Sequence, residues 1–133
     1  MRPPVPAEIA LLGLSACLVV VQVLLPAFLG VLQTGPAWNA GPRDAPPPPP
    51  GILLGRARRA LANLFETFPV FAVAVLAVSV THRLDQASLI GANLYFWGRL
   101  VYLPLYLGGV PYIRSLVWTA TLVGIFMVLG QLL

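Results

Sequence analysis

Arg59, Asn63 and Glu66 stand at i, i+4 and i+7 within an otherwise apolar stretch, a spacing that places them on one face of a helix. Arg56 extends the stripe one turn earlier, and the residues between, Ala60, Leu61, Leu64 and Phe65, are apolar. A second set, Arg99, Tyr102 and Tyr106, falls at i, i+3 and i+7; a third places Ser115 beside Arg114, with Trp118 four residues after the arginine. Guanidinium forks hold carboxylates through paired donors. A Glu can accept from an ammonium group, an Asn both donates and accepts, and Tyr hydroxyls donate to a ligand or to a developing anion.

These polar residues lie in a chain made for lipid. Of its 133 residues, 59% are hydrophobic and 9% charged, and the mean hydropathy is +0.88. A soluble domain carries about a quarter of its residues charged, so this chain lacks a solvated surface. A charge near the bilayer centre costs at least ~2.5 kcal/mol. A structural reading would have Arg59 or Arg99 pair with Glu66 and lock helices together. Polar pairs between membrane helices contribute only ~0.6 kcal/mol on average, which makes them weak glue for such costly groups. Arg56, Arg59, Arg99 and Arg114 also face Glu66 as their one intramembrane carboxylate. That excess of cations favours an anionic ligand that completes the site.

The donor set matches a small peptide-like zwitterion with more than one carboxylate, of which glutathione is an example. A thiol beside an Arg is stabilised as thiolate and becomes a nucleophile at neutral pH. An apolar electrophile could reach it from the lipid side.

Four apolar segments must position these groups, and each crossing helix needs ~20 apolar residues. The expected fold is all-α, an integral-membrane bundle of four transmembrane helices over residues 7–32, 52–80, 87–107 and 112–132, filling a single domain. The segment Gln33–Pro50, with the run Pro46–Pro50, reads as a loop containing a stiff polyproline II strap. Gly108-Gly109-Val110-Pro111 reads as a tight turn. The short second and third connections predict antiparallel neighbours. Arg43, Arg56, Arg58, Arg59 and Arg114 gather at the end of the bundle that carries the first loop, against Arg2 and Arg83 at the other. The positive-inside rule then puts the first loop in the cytoplasm.

The net charge of +4 and pI near 10.0 come entirely from Arg. Without a soluble basic face they exclude nucleic acid as a partner. The first apolar segment is too long for a cleaved signal peptide. Cys17 is the one cysteine and reads as a small buried apolar residue. No Cys/His grouping has metal-ligand spacing, and His82 reads as a solvated loop residue.

The stretch Arg56-x-x-Arg59-Ala60-x-x-Asn63-x-x-Glu66-x-x-Pro69 resembles the signature of the MAPEG family, membrane-associated proteins in eicosanoid and glutathione metabolism. Gly98-Arg99-x-x-Tyr102-x-x-x-Tyr106 is similar to that family's third-helix motif, and Arg114-Ser115 to its fourth. The loop from Asn39 to Pro46 looks like that of bacterial members. The resemblance implies a homotrimer in the bacterial inner membrane, with glutathione as co-substrate bound between subunits near the cytoplasmic face. Arg56, Arg59, Asn63, Glu66, Arg99, Tyr102 and Tyr106 would hold it. Arg114, with Ser115 as a second candidate, would activate the thiol, and a hydrophobic small molecule would be the acceptor. That makes the expected function a glutathione-dependent transferase or peroxidase. The alternative is a non-catalytic protein of the same fold that binds lipid or a partner. A transporter subunit fits less well, since no repeat or broken helix is visible. The chain departs from the family pattern at three places: Trp118 stands where some members have Tyr, Leu61-Ala62 replaces more polar residues, and the end of the first helix has no Arg.

Overall fold

A computed structural model describes residues 1–133 as entirely helical and irregular, with no strand. The helices are α1 (Ala7–Thr34), α2 (Pro36–Ala40), α3 (Ile52–Val80), α4 (Gln86–Leu107) and α5 (Ile113–Leu129), the last closed by a 3-10 turn, Gly130–Leu132. Three helical segments are long and apolar enough to cross a membrane: Ala7–Thr34, Ile52–Val80 and Ile113–Leu132. The 22-residue α4 carries the buried Arg99 together with Gln86 and Asn93, which lowers its apolarity.

Local chemistry sets the helix ends. Asp85 caps α4: its Oδ1 accepts from the Ser88 amide at 2.8 Å, and the Ser88 hydroxyl accepts from the Asp85 amide at 2.9 Å. The expected loop 33–50 contains the short helix α2, started by Pro36 at its first position. The proline run that follows is fastened at its far end by Gln33. Its Nε2 donates to the Pro49 carbonyl at 2.7 Å, and its Oε1 accepts from the Gly51 amide at 3.0 Å.

α4 and α5 form the most extensive helix pair. Glycines let their backbones touch: a Cβ on Gly91 would lie 2.5 Å from the Gly124 carbonyl oxygen, and one on Gly98 2.5 Å from Thr121 Cγ2. Small residues at such crossings are the usual means of tight packing where lipid removes the hydrophobic drive. The apolar core joins the start of α1 (Leu11), the end of α3 (Phe71, Ala74, Val75, Val78), the start of α4 (Ala92, Tyr95, Phe96) and the end of α5 (Ile125, Val128). Phe71 and Tyr95 stack in it at 3.9 Å. It therefore occupies the half of the bundle away from the proline loop, and the chemically interesting residues occupy the other half.

Cys17 corrects its sequence reading, since it is exposed. The buried stripe of α1 runs through Leu11, Ser15, Leu18 and Gln22. That is the i, i+4, i+7 progression of one helix face, and Cys17 falls off it. The outer surface is apolar, with Val20, Leu24, Phe28, Val73, Leu76 and Phe126 all exposed on the single chain, as a surface facing lipid or a neighbouring subunit requires.

Candidate functional site

The two polar stripes meet at the boundary between the halves. Arg99 of α4 is 1% exposed. Its Nη1 donates to Asn63 Oδ1 at 2.7 Å, and its Nη2 donates to the Thr67 hydroxyl. Thr67 and Tyr95 share a further hydrogen bond at 3.2 Å. The guanidinium carbon lies 5.6 Å from the Tyr95 ring centroid and 5.2 Å from that of Tyr102, within range of cation–π attraction. This buried cation is therefore held by neutral oxygens and ring faces rather than by Glu66. Its Nε has no partner within the chain.

Thr67 and Tyr95 were absent from the sequence reading, yet the spacing that found the others reaches them. Thr67 lies four residues after Asn63, and Tyr95 four before Arg99. They escaped because Thr and Tyr are common in membrane helices and carry no charge to make them conspicuous.

The remaining expected residues divide. Asn63, Tyr102, Arg114, Ser115 and Trp118 line one cavity of about 260 Å³ between α3, α4 and α5. Arg114 sits 4.6 Å from the Tyr106 ring, which packs edge-on against Tyr102 at 5.5 Å, so the α4 tyrosines buttress it. The Trp118 indole nitrogen is buried without a hydrogen-bond partner. Arg59 and Glu66 are exposed on the outside of α3 and do not line the cavity. The α3 stripe thus splits, with Asn63 and Thr67 turned to α4 and Arg59 and Glu66 on the surface.

Arg56 goes elsewhere. Its Nη1 donates to the Leu107 carbonyl at 3.0 Å, satisfying one of the free carbonyls at the end of α4, where a cation is also favoured by the helix dipole. Gly109, at φ +70°, packs against the same guanidinium, and a Cβ there would stand 2.5 Å from Arg56 Nη2. Arg56 thereby ties the α4–α5 turn to the start of α3.

The family model of MAPEG matches residues 11–133, from the second turn of α1 to the last residue. The chain belongs to the MAPEG family. The match spans the α3 stripe, Arg99 and the cavity around Arg114 together. With three helices apolar enough to cross a bilayer, MAPEG membership makes this an integral membrane protein. No curated protein and no solved structure matches the chain.

Proposed function

We propose that this MAPEG protein is a glutathione-dependent membrane transferase or peroxidase acting on hydrophobic electrophiles. The observation that carries this reading is the single cavity bounded by Asn63, Tyr102, Arg114 and Ser115. It offers an amide, two hydroxyls and a guanidinium in one place, the donors that a peptide thiol needs. Ligand pockets typically hold ~300–1,000 Å³, and 260 Å³ is enough for the thiol end of the tripeptide only. Arg59 and Glu66, exposed beyond it, are suited to the carboxylates and the ammonium group if a neighbouring subunit covers them. That incompleteness supports the homotrimer. α4 supports a fourth crossing: 22 residues at ~1.5 Å each give ~33 Å, enough for a ~30 Å hydrocarbon core.

In this reading Asn63 and Tyr102 bind and orient the tripeptide, Arg99 holds the Asn63 amide in place from within the bundle, and Arg59, Glu66 and Tyr106 stand at the rim. Arg114 stabilises the thiolate. The sulfur attacks an electrophilic carbon of the acceptor, an S–C bond forms as the bond to the leaving group breaks, and the leaving group departs with the electron pair. With a hydroperoxide, two thiols supply two electrons and yield the alcohol, water and the disulfide. The acceptor enters laterally from the bilayer, and the arginine-rich end with the first loop faces the cytoplasm of a bacterial inner membrane.

Titrating glutathione into the detergent-purified protein while following thiolate absorbance in the ultraviolet tests the chemistry. Saturable binding with a thiolate signal is expected; neither at millimolar glutathione would overturn the reading. Native mass spectrometry should find three chains per particle, and a monomer would remove the shared site. An Asp44→Cys, Cys17→Ser variant should react with an impermeant thiol reagent from the cytoplasmic side only. The second reading, a non-catalytic protein that binds lipid or a partner, draws on Trp118, whose indole stands where some members offer a tyrosine hydroxyl. Glutathione binding without a thiolate signal would favour it.

A further inference from the structure

A second cavity, of about 390 Å³, opens at the proline-loop end of the bundle, apart from the Arg114 cavity and sharing no residue with it. It lies between the end of α1 (Pro26, Gly30), α2 (Trp38, Asn39), Arg43 and Arg58 of α3. Two arginines line it and no carboxylate does.

The cavity is built rather than incidental. Arg43 Nε and Nη2 both donate to the Asn39 carbonyl, at 3.1 and 2.8 Å, and its guanidinium lies 5.6 Å from the Trp38 ring centroid. The Arg43 backbone adopts φ +60°, a left-handed conformation that costs a non-glycine residue stability and is retained where the surroundings fix it. Asn39 is itself held, its Nδ2 donating to Thr34 Oγ1 at 2.6 Å and to the Gly35 carbonyl at 2.8 Å. Gly30 forms part of the wall, and a Cβ there would come within 3.9 Å of Asn39 Oδ1. Both arginines are exposed; Arg43 is preorganised by its bonds to Asn39, and Arg58 is free to close over a bound anion.

We infer that this cavity binds the headgroup of an anionic phospholipid. The shared chemistry, a phosphate between two guanidinium groups, would also suit a free phosphate. What favours the lipid is α1. Ala27 and Val31 line the cavity; Phe28 lies beside Ala27, and Leu24 and Val20 continue the same helix face for two further turns, so that Val20, Leu24, Ala27 and Phe28 stand at i, i+4, i+7 and i+8. Leu24 and Phe28 are 60% and 62% exposed. A headgroup in the cavity would lay its acyl chains along that apolar track. Trp38 is the residue type that gathers at the membrane–water boundary, and basic pockets between helices are the usual headgroup sites.

The test is native mass spectrometry of the full-length protein in detergent, titrated with phosphatidylglycerol, phosphatidylcholine or inorganic phosphate. Phosphatidylglycerol should be retained in preference to phosphatidylcholine. An arginine near an anionic surface contributes about fivefold, so the Arg43→Ala, Arg58→Ala double variant should lose about 25-fold in phosphatidylglycerol affinity. Arg2→Ala, at the opposite end, should lose nothing. Equal retention of the two lipids, or an unchanged affinity in the double variant, would overturn the proposal. So would inorganic phosphate binding as tightly as phosphatidylglycerol, which would make the cavity a soluble-anion site. Arg114→Ala should keep the lipid preference, so failure of the glutathione reading leaves this result standing, and the reverse.

Discussion

Arg99 Nη1 donates to Asn63 Oδ1 at 2.7 Å, and with its second bond, to Thr67, this joins the polar stripe of α4 to that of α3. Asn63 also lines the cavity with Arg114, so the residue that anchors the buried cation is the residue that borders the ligand space. Removing its amide should therefore register twice. Asn63→Ala should lower the stability of the detergent-solubilised protein by about 1–2 kcal/mol, the range for a hydrogen bond to a charged group tempered by its membrane setting. Glutathione affinity should fall with it. Thermal unfolding and a binding titration on one preparation check both, and an unchanged midpoint would mean that Arg99 finds another partner.

Glu66 should behave in the opposite way. It is exposed, and the two terminal nitrogens of Arg99 bond Asn63 and Thr67 instead. Glu66→Gln should leave the unfolding midpoint of the single chain in place while weakening glutathione binding by about tenfold, the loss of one charge-assisted contact of ~1.4 kcal/mol. A large loss of stability with no effect on binding would return Glu66 to a purely structural role.

Arg114→Ala should abolish the thiolate absorbance and retain part of the affinity, because Asn63, Tyr102 and Ser115 still border the cavity. Loss of one preorganised charge stabiliser costs about 10²–10³ in turnover. Single-turnover rates measured at saturating glutathione would show this, and an unaltered thiolate signal would take Arg114 out of its role.

The crossing of α4 and α5 has no room for a methyl group, since a Cβ on Gly91 would meet the Gly124 carbonyl oxygen at 2.5 Å. Gly91→Ala should destabilise by about 1–3 kcal/mol as the helices are pushed apart. Denaturant midpoints in mixed micelles would measure it. Gly13→Ala, in the interior of α1 with nothing within 4 Å of the added carbon, serves as the comparison without a clash and should be stabilising by about 0.5–1 kcal/mol.

Gln33 clasps both ends of the last turn before α3, through Pro49 and Gly51. Gln33→Ala should speed hydrogen exchange at the Gly51 amide by about fivefold, one ordinary hydrogen bond of ~1 kcal/mol. Helix content by circular dichroism should stay constant, since no helix depends on the clasp.

Much of this protein is determined by its sequence through two physical constraints. Too few charges for a solvated surface dictate lipid, and lipid dictates helices, because backbone groups there must bond within their own segment. The cost of intramembrane charge then singles out Arg59, Glu66, Arg99 and Arg114 as the residues to explain, Asn63 falls on the same stripe as two of them, and the motifs of α3, α4 and α5 together carry the resemblance to the family. What tertiary structure alone decided is how these residues are shared out. Helical periodicity gives a direction around one axis but not the rotation of one helix against the next. So the stripe read as a single face divides: Asn63 turns with Thr67 toward Arg99, while Arg59 and Glu66 remain outside. Arg56 is drawn to the Leu107 carbonyl by the turn it lies beneath, and Cys17 is exposed because the buried line of α1 passes beside it. The four cations that looked alike in sequence have four different surroundings, because the partner of each belongs to a helix, turn or surface that only packing brings near.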